Sequence, residues 1–224
     1  MKTQLTSARN QLGFSLIELM IAMTLTLIVA GIAATLLSQS VRMRYREDIR
    51  SDAIADAQRA LNIVSREVAN SGFGLIDNGI VPGDTNNESI RVRANLNAYT
   101  LDATNNVVSD PDEDIKYLMY NDDPQNRHYL VRLDAELAKT DRAKATTVLA
   151  NRLDSFRLEY FDGSGAPINV VASPGSVANA WKVRITVGVN LPEDGKPGMP
   201  GYQPPSTVQL VSDVVLRNTC QTTF

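Results

Sequence analysis

Apolar side chains fall along this chain in three successive rhythms. From Phe14 to Leu37 they are nearly continuous, and Glu18 is the one ionisable side chain in the run. At about 1.5 Å rise per residue such a run, coiled as a helix, is long enough to cross a hydrocarbon layer of roughly 30 Å. From Val41 the rhythm becomes one-sided: Val41, Tyr45, Ile49, Ala53, Ala57, Leu61, Val64 and Val68 recur every three or four residues, the mark of an amphipathic helix. Arg42, Arg46, Asp48, Arg50, Asp52, Asp56, Arg59, Arg66 and Glu67 fill the other face. No proline occurs before Pro82, so nothing interrupts the two segments, and together they predict one helix from Phe14 to about Ser71, roughly 85 Å long. Asn70-Ser71-Gly72 supplies the stop, with Gly72 suited to a left-handed C′ position.

Beyond Gly72 the period drops to two. Ser89 to Leu96, Tyr129 to Leu133, Phe156 to Tyr160 and Val183 to Val189 alternate apolar with polar residues, as strands with one buried face do. Asp162-Gly163-Ser164-Gly165 marks a turn after the third of these. A last strand, Thr207 to Leu216, follows the segment Leu191 to Ser206, whose five prolines and three glycines predict a long surface loop. The pattern therefore predicts an α+β fold, with an antiparallel β-sheet packed on the Val41 to Val68 face of a long N-terminal α-helix. The corresponding divisions are a leader at residues 1–13, an apolar half-helix of membrane-spanning length at 14–37, an amphipathic half-helix at 38–71 and a β-sheet head at 72–224.

Composition sharpens this picture in two places. The 224 residues are 43% hydrophobic and 21% charged, an ordinary globular mixture with one added apolar segment. The formal net charge of −3 becomes about −5 if Lys2 and Arg9 leave with the leader, which argues against a general nucleic-acid binder. Cys220 is the single cysteine, so no disulfide within the chain is possible and the head must rest on its core.

Glu18 is the residue the apolar run has to explain. A carboxylate at the centre of a bilayer costs on the order of 2.5 to 3.5 kcal/mol, less near an interface, and so requires a partner. Cleavage between Gly13 and Phe14 would create one, an α-amine at the helix N-terminus one turn away. The segment before that bond carries Lys2 and Arg9, no acid and no apolar core, and would stay cytoplasmic while the next segment inserts. Gly13-Phe14-Ser15-Leu16-Ile17-Glu18 followed by an apolar helix resembles the type III signal of type IV prepilins and type II secretion pseudopilins. The resemblance implies cleavage after Gly13 by a prepilin peptidase, N-methylation of Phe14, and a role for Glu18 in subunit assembly. Beyond Leu37, Arg42, Arg44, Arg46 and Arg50 outnumber Lys2 and Arg9. A count of flanking charges alone would place the C-terminal side in the cytoplasm, but the leader motif is the more specific signal.

Weaker resemblances extend along the head. Leu149 to Leu153 leading into Phe156-Arg157-Leu158-Glu159-Tyr160-Phe161-Asp162, and Trp181-Lys182-Val183-Arg184-Ile185, look like segments of PilW-type minor pilins and of J-type minor pseudopilins. Arg66 to Gly74 and Leu216-Arg217-Asn218 look like the helix end and C-terminus of PilW-like proteins. By this resemblance the chain is expected to be a minor pilin of a type IV pilus, with an inner-membrane precursor, the head in the periplasm, and a later place in a surface filament. Its expected partners are the prepilin peptidase, other minor and major pilins, the inner-membrane assembly platform and, before assembly, membrane lipid. A J-type pseudopilin of a type II secretion system is the alternative, and a signal-anchored periplasmic binding domain is the alternative from another class.

Signals of catalysis or of a cofactor are missing. His128 is the single histidine, so no histidine-based triad is supported, and one cysteine leaves no zinc site of the usual spacing. Asp110-Pro111-Asp112-Glu113-Asp114 begins like a calcium loop, but Ile115 replaces the required glycine and Asn121 the bidentate glutamate. That stretch is expected to be a solvated acidic loop. No enzyme activity, metal or cofactor is expected.

Overall fold

The computed structural model describes residues 14–96, 110–120, 128–150, 153–191, 193, 195–199 and 202–217. Gly13 and the rest of the leader, Asn121 and Cys220 lie outside the described residues. One unbroken α-helix, α1, runs from Leu16 to Ala69 and is the longest element among the described residues; its 54 residues correspond to about 81 Å at 1.5 Å per residue. Among the described residues, eight strands follow: β1 (Ser89–Arg93), β2 (Asp114–Tyr120), β3 (Tyr129–Asp134), β4 (Thr146–Ala150), β5 (Ser155–Phe161), β6 (Pro167–Ile168), β7 (Lys182–Leu191) and β8 (Ser206–Val215). A long N-terminal helix followed by antiparallel strands is the α+β arrangement that the periodicities predict.

The head holds two sheets where a single one was expected. One has the order β1-β2-β3-β4 and the other β6-β5-β7-β8, and all pairings are antiparallel. The second sheet carries the centre of the core. Phe156, Leu158 and Tyr160 of β5 and Val183, Ile185, Val187 and Val189 of β7 point to one side and are buried. Ala53, Ala57, Ala60, Leu61, Val64 and Val68 of α1 pack over them. Three alanines on this stripe let the helix axis approach the sheet closely, and Ser65 Oγ bonds Ser212 Oγ of β8 at 3.1 Å. Between the sheets, Leu158 N donates to Asn87 O at 2.8 Å and the Tyr160 hydroxyl donates to Asn86 O at 2.9 Å.

The buried stripe of α1 is shorter than its apolar periodicity. Val41 and Tyr45 are 58% and 68% exposed, and burial begins only at Ala53, because the sheet ends before it reaches the earlier turns. Arg46 departs from the expected free polar face. It lies half-buried under the head, where Nη2 donates to Pro204 O at 2.6 Å, so the proline-rich β7–β8 connection folds back onto the helix. The helix stop also differs by a residue. Asn70 is the C-cap, and left-handed Gly72, with φ +79°, stands two residues beyond it.

The acidic stretch is the clearest correction. Glu113 and Asp114 are 2% and 1% exposed, so they are not solvated. Asp114 accepts from Arg91 Nε at 2.6 Å, Arg91 Nη2 at 2.8 Å and Arg93 Nε at 2.9 Å. Glu113 accepts from the amides of Leu96 and Asp110. Arg91 also reaches Asp84, which in turn holds Lys116. The acids are thus consumed by neighbouring arginines and amides, and Asp114 opens β2, a strand that the loop reading concealed.

Removing one partner of a buried ion pair strands the other, at a cost of about 3–5 kcal/mol. Asp114→Ala leaves Arg91 and Arg93 facing each other without the carboxylate between them. Urea unfolding of the detergent-solubilised protein is expected to show a loss of that order.

The same cluster sets an acid limit. Lys116, and then Arg91, hold Asp84 below the usual carboxylate range. A carboxyl depressed by folding stabilises the native state above its unfolded value of 3.8, and that contribution is lost as pH falls through the folded value. Stability is therefore expected to fall below about pH 4, and Asp84→Asn is expected to flatten that limb in urea titrations at pH 3 and pH 7.

Candidate functional site

The longest continuous exposed apolar surface among the described residues is the first half of α1. From Phe14 to Leu37 every residue is exposed, including Phe14 at 85% and Leu16 at 77%. A monomeric soluble protein does not leave an apolar surface of this extent in water. The segment is built for an apolar environment in its backbone as well as its side chains. The helix satisfies its own amides, and three threonines bond back to preceding carbonyls: Thr24 to Met20 and Ile21, Thr26 to Ala22, and Thr35 to Gly31 and Ile32. Their hydroxyls therefore need nothing from lipid or from a neighbour.

Phe14 and Ser15 precede the helix proper. Ser15 is the N-cap in an extended conformation, with no side-chain cap bond, and Leu19 N donates to Ser15 O at 3.1 Å. Glu18 sits in the first turn, where the free amides and the dipole of the helix favour a carboxylate. Its side chain is exposed. Phe14 and Glu18 thus share the N-terminal turn of an uncovered apolar helix, at the end far from the head. Gly13, the third residue of the expected cleavage and assembly set, lies outside the described residues.

The far end of α1 carries a structural site that periodicity did not single out. Asn78, 4% exposed, donates from Nδ2 to the carbonyls of Val177, Ala178 and Ala180. Ser71 Oγ donates to Asn78 O at 2.6 Å. Gly72 N donates to Arg93 O and Arg93 N to Gly79 O, so the helix end, β1 and the turn before β7 are tied at one point. A second knot lies beside it. The Tyr117 hydroxyl donates to Glu67 Oε2, and Arg132 bridges Glu67 and Asp112. Burial foremost, with the Glu67 carboxylate adding to it, pushes the Tyr117 hydroxyl far above its ordinary range. Both knots fasten the head to the helix. Among the described residues no group of histidine, cysteine and acidic side chains is arranged to hold a metal ion.

Residues 8–34 match the family model described as the prokaryotic N-terminal methylation motif. The chain thus carries a prepilin-type N-terminal methylation signal, that of type IV pilins, in front of a pilin-like α+β architecture. The match spans the signal and most of the apolar run and stops short of the head; it supports a protein of the type IV pilin or pseudopilin kind and does not distinguish between the two. No curated protein and no solved structure matches the chain.

Proposed function

We propose that this protein is a minor subunit of a type IV pilus. In this reading it is inserted in the inner membrane as a precursor with its head in the periplasm. It is cleaved after Gly13, N-methylated on Phe14, and then transferred into or used to prime the filament. The observation that carries the proposal is the uncovered apolar half-helix headed by Phe14 and Glu18, lying within the residues that match the methylation motif. Such a helix is suited to two apolar settings in turn: lipid before assembly, and a bundle of like helices after it. The chemistry asked of the chain is recognition by a peptidase and packing, with no reaction of its own.

The resemblance of Arg66 to Gly74 and Leu216 to Asn218 to PilW-like proteins places the minor pilin first in this reading, while the signal and head pattern are shared with the secretion pseudopilus. The strand segments at Phe156 and Trp181 are common to both. Deleting the gene and scoring surface filaments beside protein secretion separates the two. Loss of filaments with normal secretion supports the minor pilin, and the reverse result supports the J-type pseudopilin.

Cleavage has its own test. A peptidase that grips an extended chain beside the membrane needs almost no side chain at the bond, so Gly13→Leu is expected to keep its 13-residue leader. Intact mass measures this. Loss of the leader at the normal rate would remove the type III signal from the account.

A further inference from the structure

Three arginines follow the apolar run before any acid appears. Arg42, Arg44 and Arg46 precede Glu47, and the next acid toward the N-terminus is Glu18. Arg42 and Arg44 are exposed, and among the described residues neither side chain forms a hydrogen bond or ion pair. Tyr45 stands between Arg44 and Arg46 and is 68% exposed. The assembly reading gives this band no task. On the translocated side of a membrane it even opposes the usual bias of positive charge toward the cytoplasm.

Depth along the helix supplies the task. If hydrocarbon ends at Leu37, Arg42 and Arg44 stand about 7.5 and 10.5 Å beyond it at 1.5 Å per residue. The polar layer of each leaflet is roughly 5–7.5 Å thick. Helical side chains lean toward the N-terminus, here back toward the bilayer, and a long arginine closes the remaining gap. At about 100° per residue Arg44 lies on the opposite side of the helix from Arg42, so the pair grips headgroups on two sides. Guanidinium groups match phosphate oxygens in planar, two-point geometry, and an exposed tyrosine at this level is the usual interfacial anchor. Arg46, one turn above Arg42, is already committed to Pro204 O and fixes the underside of the head just above this layer.

We propose that Arg42 and Arg44, with Tyr45, form a headgroup collar that binds the phosphates of anionic phospholipid on the periplasmic face. The collar would hold the precursor at a defined depth, with its head upright, until assembly. It rests on the reading that residues 14–37 span the membrane.

The test uses the full chain reconstituted in phosphatidylcholine vesicles containing one-fifth phosphatidylglycerol. Spin-labelled lipid of each kind reports which is held at the protein surface. Arg42→Gln/Arg44→Gln is the variant, since it touches neither Arg46 nor the core. The wild type is expected to prefer phosphatidylglycerol, and the variant to lose at least about fivefold of that preference, the weight of one arginine near an anionic surface. A protein that resists alkaline extraction yet shows the same preference with and without the two arginines overturns the collar alone. A protein released by alkaline extraction overturns the spanning reading and the collar with it. Unchanged lipid preference together with weakened crosslinking of the variant to other subunits would assign the arginines to a protein partner, and would likewise overturn it.

Discussion

A chain carrying Gly79→Ala is expected to lose its cooperative unfolding transition. Gly79 has φ +72°, a conformation that costs an L-residue roughly 1–2 kcal/mol before any contact is counted. The contacts are worse. A Cβ built there would lie 2.2 Å from Gly72 N and 2.3 Å from Arg93 O, both backbone atoms, and 2.7 Å from Ser71 Oγ. No rotamer relieves a clash with backbone, and Gly72 N and Arg93 O bond each other while Arg93 N donates to Gly79 O where helix end, β1 and the turn meet. Separating them breaks the Gly72–Arg93 and Arg93–Gly79 bonds together and pulls Asn78 from the carbonyls it serves. A loss above about 4 kcal/mol belongs to this kind of mechanism, and it is a large share of the stability of an ordinary domain. Circular dichroism during a urea titration checks it. A variant unfolding within about 1 kcal/mol of the wild type would mean that the knot at Gly79 does not hold the head.

Glu18→Ala is expected to leave the head and membrane insertion intact and to impair assembly on the order of a hundredfold or more, a buried ion pair being worth about 3–5 kcal/mol when one partner is removed. The reasoning turns on where the carboxylate is unfavourable. For an anchor alone, alanine relieves the cost of a charge near lipid, and insertion stays the same or improves. In a filament core, Glu18 of one subunit can neutralise the Phe14 amine of another. Removal then strands a cation in a medium of low dielectric constant. Crosslinking to the other minor subunits, compared with cleavage and membrane retention in the same cells, separates the outcomes. Equal crosslinking and normal filament numbers would reduce Glu18 to an interfacial residue.

Much of the architecture was legible because burial in this chain is periodic. Phe156, Leu158 and Tyr160 alternate without exception, and β5 appears where that alternation lies. The apolar run and its single acid are equally plain, since a membrane-length segment is written in composition alone. What was not legible depends on pairing across the fold. Asp110 to Asp114 reads as a water-exposed loop until Arg91 and Arg93, some twenty residues earlier, are brought beside it by β1 and β2. The division into two sheets has no sequence period of its own. It follows from which edges meet, through such contacts as Tyr160 to Asn86. Tyr45 satisfies the helical period and yet is exposed, because the sheet does not reach that turn of the helix. Gly79 is one glycine among thirteen, and only the approach of Gly72 and Arg93 distinguishes it.

Processing to Phe14 is the step on which the proposed assembly role depends. The most direct test is intact mass and N-terminal sequencing of the protein extracted from membranes of its own cells. The expected product lacks residues 1–13, begins at Phe14 and carries one added methyl group on the amine. A mature protein that retains Met1 to Gly13, or one whose N-terminus lies elsewhere than Phe14, would contradict it.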